Sequence, residues 1–233
     1  MGLSNYLPSS RISQPGVCTS STRPISPYEG QVIYETDTDR TLLWNGSSWY
    51  PPSASTLITS LPSTPTDGQI INYVADSTNG IVWTFRYRAA SSSSYKWEFI
   101  GGPAAYSYVG PNDYNGSRQT ISTLTFGDLA TVGPSFTTPF AGDWDCTFNV
   151  LAETNGTATH VRVWATGDSS LNWNFGDSQA YNANQLNATH AGTIRRTGIA
   201  SGSTLKLQYA VSNAGVTAAF WNRRLYVTPV RIG

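Results

Sequence analysis

Two histidines, His160 and His190, set the first limit on the chemistry open to this chain. A Ser–His–Asp triad would have to use one of them, and no Gly-x-Ser-x-Gly elbow is present to offer a serine. Asp143 and Asp145 stand two apart in Gly142-Asp143-Trp144-Asp145-Cys146, which on a strand turns both carboxylates to one side. Paired carboxylates can run acid/base chemistry on sugars. Here Trp144 and Cys146 alternate to the opposite side and leave the pair no apolar pocket, so a solvent-facing strand edge is expected. Asp37-Thr38-Asp39 resembles part of a calcium loop but lacks the Gly and the closing Glu, and reads as a turn. Cys18 and Cys146 are too few to make a zinc site, and Cys146, alternating with Phe148 and Val150, reads as a small core residue. No phosphate-binding glycine loop, His-x-x-x-His pair or Cys-x-x-Cys pair occurs. The expectation is no catalytic, cofactor or metal site, and no enzyme.

Residues suited to contact are easier to find. His160, Arg162 and Trp164 share one face of a strand, opposite Val161 and Val163, and form a candidate interface on what should be an exposed strand face. Trp173, Phe175 and Tyr181 lie in an Asn-rich stretch and are candidates for a ligand or receptor surface, since aromatic faces stack on sugar rings. The doublets Arg195-Arg196 and Arg223-Arg224 read as solvated strand edges. Fourteen basic and fourteen acidic residues cancel, so no global field points to nucleic acid or to an anionic membrane. No apolar run reaches membrane-spanning length, and Met1 to Gln14 lacks the basic start and apolar stretch of a secretion signal. No membrane insertion is expected, and assembly should take place in a cytoplasm.

The elements that must carry these residues are strands. Charged residues make up only 12% of the 233 residues, against 12% aromatic, which supports a packed core whose strands show neutral polar outer faces. No apolar spacing of three to four persists over a dozen positions, so the fold class is all-β. Residues 1–27, with Pro8, Pro15, Pro24 and Pro27 among Ser and Thr, read as an extended attachment arm. Pro27-Tyr28-Glu29-Gly30-Gln31 recurs as Pro65-Thr66-Asp67-Gly68-Gln69, and each copy opens a three-stranded meander, 28–60 and 61–103. Residues 104–117 read as a linker. From 118 to 233, Trp144 to Val150 and Leu205 to Val211 alternate strictly between turn signals, which implies an antiparallel jelly roll or sandwich.

Gln14-Pro15-Gly16-Val17-Cys18-Thr19, Gly30-Gln31-Val32-Ile33-Tyr34-Glu35-Thr36-Asp37-Thr38 and Trp44-Asn45-Gly46-Ser47-Ser48-Trp49 resemble modules of minor structural proteins of phages that infect actinobacteria. Arg86-Tyr87-Arg88-Ala89 and Tyr95-Lys96-Trp97-Glu98-Phe99 are similar to a module of the same group, so the likeness spans roughly the first hundred residues. The C-terminal domain resembles the trimeric jelly roll of complement and tumour-necrosis-factor type at Gly142 to Phe148 and Trp221 to Val230. The resemblance implies a virion protein of minor tail or fibre type, self-associated as a homotrimer. It would bind other virion proteins through residues 1–27 and host cell-wall glycan through its aromatic loops. A head-decoration protein stabilising the capsid is the alternative, and a tail-associated glycan hydrolase a more distant one.

Overall fold

The computed structural model describes residues 16–51, 57–110, 118–154, 159–168 and 188–233. Every regular element among them is a strand, and the protein is all-β. The chain divides into two compact units, Met1–Thr56 and Leu57–Gly233.

The first unit is a four-stranded sheet. β1 (Gly16–Cys18) runs parallel to β2 (Val32–Glu35), which pairs antiparallel with β3 (Arg40–Trp44) and then β4 (Trp49–Tyr50). The turn into β2 needs a left-handed residue, and Gly30 supplies it at φ 84°. Its N–H donates to the Trp44 carbonyl at 2.9 Å, and the Gln31 side-chain oxygen accepts the Tyr28 N–H at 3.2 Å. Ile33 and Leu42 are buried on one face, and Glu35 beside them is buried too. A buried carboxylate needs partners. Glu35 has the Arg23 guanidinium and the Thr38 hydroxyl, and the Arg23 hydrogen bond holds its carboxyl below the usual range.

The second unit begins with the same device. β5 (Leu57–Ile58) runs parallel to β6 (Ile70–Asp76), which pairs with β7 (Ile81–Tyr87) and then β8 (Trp97–Gly101). Gly68 takes φ 80°, its N–H donates to the Tyr87 carbonyl at 2.9 Å, and Gln69 accepts the Thr66 N–H at 3.2 Å. The remaining strands are β9 (Ala105–Val109), β10 (Gln119–Ile121), β11 (Ser135–Thr137), β12 (Gly142–Thr154), β13 (Thr159–Ala165), β14 (Ala188–Ile199), β15 (Thr204–Val211) and β16 (Ala218–Ile232). They build a sandwich. One sheet has the order β14-β12-β16 and continues through β8 into β7, β6 and β5; the other is β11-β15-β13. One edge of β16 is lined by β12, and the other is covered in relay by β10, β9 and β8.

The alternation read in β12 and β15 supplies the filling. Trp144, Cys146, Phe148 and Val150 meet Val161, Val163, Leu205, Leu207, Tyr209, Phe220 and Leu225, all at most 1% exposed. Each such side chain contributes about 1.5–3 kcal/mol over exposure, and burial pushes the Cys146 thiol up to about 12. The second repeat joins this core through its aromatics. Trp83 lies 5.7 Å from Trp144 and 6.2 Å from Phe136, and Tyr73 lies 4.6 Å from Phe140. Gly142 admits the close start of β12 against β16, because a Cβ there would stand 2.2 Å from the Arg231 carbonyl oxygen.

Several boundaries move. Gly16–Cys18, inside the expected arm 1–27, is a sheet strand, and Arg23 reaches the buried Glu35; residues 1–15 lie outside the described residues. Each repeat carries a parallel lead strand in addition to its meander. The expected linker 104–117 contains β9, held by five residue pairs along β16 from Val109–Arg223 to Ala105–Val227. The second repeat and the sandwich form one unit because they share a sheet and an aromatic core.

Candidate functional site: a tyrosine face on the large sheet

β12 presents Asp143, Asp145, Thr147 and Asn149 away from the core, because Trp144, Cys146, Phe148 and Val150 take the inner side. The registers of β12 with its neighbours extend that outer face into rows. One row runs Tyr106–Tyr226–Thr147–Thr193, the next Tyr108–Arg224–Asn149–Ala191, and a third Thr228–Asp145–Arg195. Tyr106 is 51% and Tyr226 37% exposed, with ring centroids 4.9 Å apart. Tyr108 lies parallel to Tyr106, within 10° and 6.5 Å away, and the Arg224 guanidinium sits 5.8 Å from the Tyr108 ring centre. Thr147 and Thr193 share a hydrogen bond at 2.8 Å. Three tyrosines, two threonines, an asparagine and an arginine thus share one outer face of the sheet. Such rings offer large contact area at little rotamer cost.

The carboxylate pair does share one side, as its spacing requires. Asp145 is held by Arg195 through two bonds of 2.8 Å, and Asp143 accepts the Gly198 N–H at 3.0 Å. Both carboxylates act as cross-strand ties. Arg195 is therefore partly a solvated edge residue, whereas its neighbour Arg196 is buried and reaches Asp168 at 2.6 Å. Arg223 is buried against the carbonyls of Thr131 and Gly133, at 3.0 and 2.9 Å.

His160, Arg162 and Trp164 do not form an exposed interface. His160 is 2% and Arg162 5% exposed, because the outer side of β13 is covered within the chain. Gly127 bridges to Tyr209 on β15, which sets Phe126 and Asp128 on that outer side. Phe126 stands 6.4 Å from the His160 ring and 4.8 Å from the Arg162 guanidinium. Arg162 donates to Gln208 at 2.6 and 3.0 Å, and Lys206 pairs with Asp128 at 2.6 Å while lying 4.7 Å from the Trp164 ring centre. Burial drops the His160 imidazole to about 4, with His190 adding to it, and burial does the same for His190, whose Nε2 meets the Thr159 hydroxyl at 2.7 Å. Trp173, Phe175 and Tyr181 lie outside the described residues. Among the described residues no group of three or more His, Cys, Asp or Glu is placed to hold a metal.

The tyrosine face escaped the sequence reading, although a signal was there. Ala105-Tyr106-Ser107-Tyr108-Val109 alternates with period two, but the large residues point outward and the small ones, Ala105 and Ser107, face the core.

No family model matches the chain, and no curated protein matches it. Among solved structures, the globular domain of zebrafish complement 1qA protein is similar over 53% of this chain and 95% of its own, at 16% identity and a TM-score of 0.31. A Stig cyclase, Fisc from Fischerella sp. TAU, aligns over 90% of this chain and 94% of its own, at 15% identity and a TM-score of 0.26. A chain of infectious bursal disease virus, Gx strain, aligns over 66% of this chain and 46% of its own, at 11% identity and a TM-score of 0.27.

Proposed function

We propose that this chain is a structural protein of a bacteriophage particle, of minor tail or fibre type, and that it works as a homotrimer joined through the tyrosine face. The sequence likeness of the first hundred residues to phage structural modules supports the particle. The observation that carries the contact is the exposed pair Tyr106 and Tyr226, with the half-buried Tyr108 beside them, on the outer side of a sheet whose inner side is a full core. Tyrosine and arginine are the residues that interfaces enrich and solvated faces do not need. The reading includes no hydrolytic step, since Asp143 and Asp145 are engaged in ties between strands. In the particle, residues 1–27 would bind other virion proteins, and multivalent display would strengthen weak contacts with host cell-wall glycan.

Light scattering on the purified protein should give three times the chain mass. The double substitution Tyr106→Glu, Tyr226→Glu should give the single mass with the β-sheet circular-dichroism signal retained, because both rings lie outside the core, and with a thermal transition lowered by the loss of assembly. A wild type that stays monomeric at micromolar concentration would sink the trimer, and a double variant that stays trimeric would move the contact elsewhere. Gold-labelled antibody should mark the distal tail; label on the head would replace the tail reading by capsid decoration.

A further inference from the structure

Glu98 stands between two arginines. The registers set Arg86 of β7 on one side of it and Arg231 of β16 on the other. All three face away from the core, because Phe85 and Trp97 take the inner side. Arg88 follows Arg86 on that outer side, and its N–H donates to the Lys96 carbonyl at 2.9 Å, one step of ladder past β7. The three guanidiniums meet on one carboxylate. Arg86 Nη2 lies 3.0 Å from Oε2, while Arg231 Nη2 and Arg88 Nη1 lie 3.4 and 3.5 Å from Oε1. The Arg86 hydrogen bond, with the charges of Arg88 and Arg231, holds the Glu98 carboxyl below the usual range. Its side chain is 13% exposed, whereas those of Arg86, Arg88 and Arg231 are 45%, 55% and 38% exposed. Two further carboxylates approach the cluster and form no ion pair with it. Asp67 accepts the Ala89 N–H at 2.8 Å, and Asp143, opposite Arg231 in the register, accepts the Gly198 N–H at 3.0 Å. Lys96 turns its ammonium to the Ser91 carbonyl.

We infer that Arg86, Arg88 and Arg231 bind one phosphomonoester group carried on a sugar or polyol, with Glu98 as the residue that positions them. Exposed ion pairs contribute little to stability, and three like charges around one carboxylate repel one another. Each arginine gives one Nη to Glu98 and keeps its other N–H groups for the solvent side, where the three heads converge. Three guanidiniums less one carboxylate leave two positive charges, and a phosphomonoester brings about −1.5 to −2 at neutral pH. It also offers three terminal oxygens to three heads, in the planar geometry that guanidinium groups match. Ile70 pairs with Arg86 in the register and is 58% exposed, an apolar edge for the carbon skeleton of an ester. A nucleic acid would need a track of cations. None leads away from this cluster: on the same face Arg195 is held by Asp145 through two bonds of 2.8 Å, and Arg224 lies beside the Tyr108 ring. The site lies wholly within the unit Leu57–Gly233 and requires no second copy of the chain.

The test is a titration of the full chain with glycerol phosphate at constant ionic strength, read by the arginine Nε–H signals in NMR. Those of Arg86, Arg88 and Arg231 should move together and saturate, with a dissociation constant of about 1–10 mM. Glycerol should move none of them, and inorganic phosphate should bind about threefold more weakly, because it leaves Ile70 unused. Affinity should fall severalfold between about pH 7.5 and 5, as the ester takes up its second proton near about 6. Arg86→Gln with Arg231→Gln should weaken binding at least about tenfold. Arg88→Gln, at the most exposed of the three positions, should weaken it about threefold and reads the site even where the double variant fails to fold. Signals that fail to saturate, or that follow sodium chloride equally, would overturn the site. Inorganic phosphate bound as tightly as the ester would overturn the sugar or polyol. A single-stranded oligonucleotide without a terminal phosphate that binds more tightly than the ester would replace the phosphomonoester by nucleic acid.

Discussion

The two repeats are one frame with two inner faces. In both, a left-handed glycine, a side-chain amide folded back on its own turn and a parallel lead strand recur with hydrogen bonds of matching length. Trp44 and Trp49 pack at 5.4 Å in the first, and Tyr87 and Trp97 at 5.1 Å in the second. On the inner side they part. Where the first carries Glu35, Arg40 and Leu42, the second carries Tyr73, Trp83 and Phe85. The second repeat shares a sheet with the sandwich, and its inner side chains became part of the large core. The first buries Ile33 and Leu42 and closes its polar end with the Arg23–Glu35 pair. The turn and the ladder set the backbone, and the neighbour available for packing decides how large the side chains can grow.

The sharpest way to break that comparison is to exchange one residue. Trp83→Arg puts the first repeat's residue into the second, where the indole is fully buried and donates to the Pro103 carbonyl at 2.8 Å. The loss of packing and the burial of an unpaired charge should cost about 4 kcal/mol or more. The converse Arg40→Trp falls on an exposed position and should stay within about 0.5 kcal/mol. Urea titrations followed by fluorescence compare the two; equal costs would mean that the inner faces are not different after all.

What the residues announced and what they hid follows the same physics. The Pro-x-x-Gly-Gln turns and the long alternations of β12 and β15 are local, and they were legible because a turn or a half-buried strand needs particular residue types in order. The lead strands were not: Gly16-Val17-Cys18 and Leu57-Ile58 are too short to alternate, and parallel pairing across an intervening turn leaves no mark in them. The face of His160 and Arg162 was misread because period two says only that one side is polar. Its cover, Phe126 and Asp128, arrives through a bridge to Tyr209 that no local pattern encodes. The tyrosine face was missed for the inverse reason, since its large residues turn away from the core.

Acid should separate the units, because both histidines lie in the second. In the folded chain, burial holds His160 and His190 to about 4, against an ordinary value of 6.5. The unfolded chain therefore takes up protons first as pH falls. Stability is complete above about 6.5 and is lost down to about 4, on the order of 3 kcal/mol for each histidine. Protonated His160 would also share its face with Arg162, whose guanidinium already has Gln208, Phe126 and the carboxylates of Asp168 and Asp128 around it, with Arg196 opposing them. Glu35 in the first repeat behaves the other way. Its depressed carboxyl stabilises the fold above the ordinary 4.5, and that contribution goes only as pH falls through the lower folded value. Denaturant midpoints between pH 7 and 4.5 should fall for the second unit while the first holds. Replacing both histidines by glutamine should flatten the slope, and a slope that survives in that variant would place its origin elsewhere.

The smallest expected effect is the one that should be equal in both repeats. Gln31 and Gln69 each fold their side-chain oxygen onto the N–H three residues earlier, at Tyr28 and Thr66, at the same 3.2 Å. Their own N–H groups donate back to the carbonyls of those residues, each at 3.0 Å, so the turn is closed from both ends. Replacing either glutamine by alanine removes one exposed hydrogen bond of ordinary strength, about 0.5–1 kcal/mol, and leaves the backbone bonds in place. Amide exchange at Tyr28 and at Thr66 should then quicken about two- to fivefold, the equivalent of that energy. The two factors should match, because nothing that distinguishes the inner faces enters the turn. If Gln69→Ala loosened Thr66 far more than Gln31→Ala loosened Tyr28, the frame would depend on the core behind it. The repeats would then differ in their backbone energetics as well as in the side chains they carry.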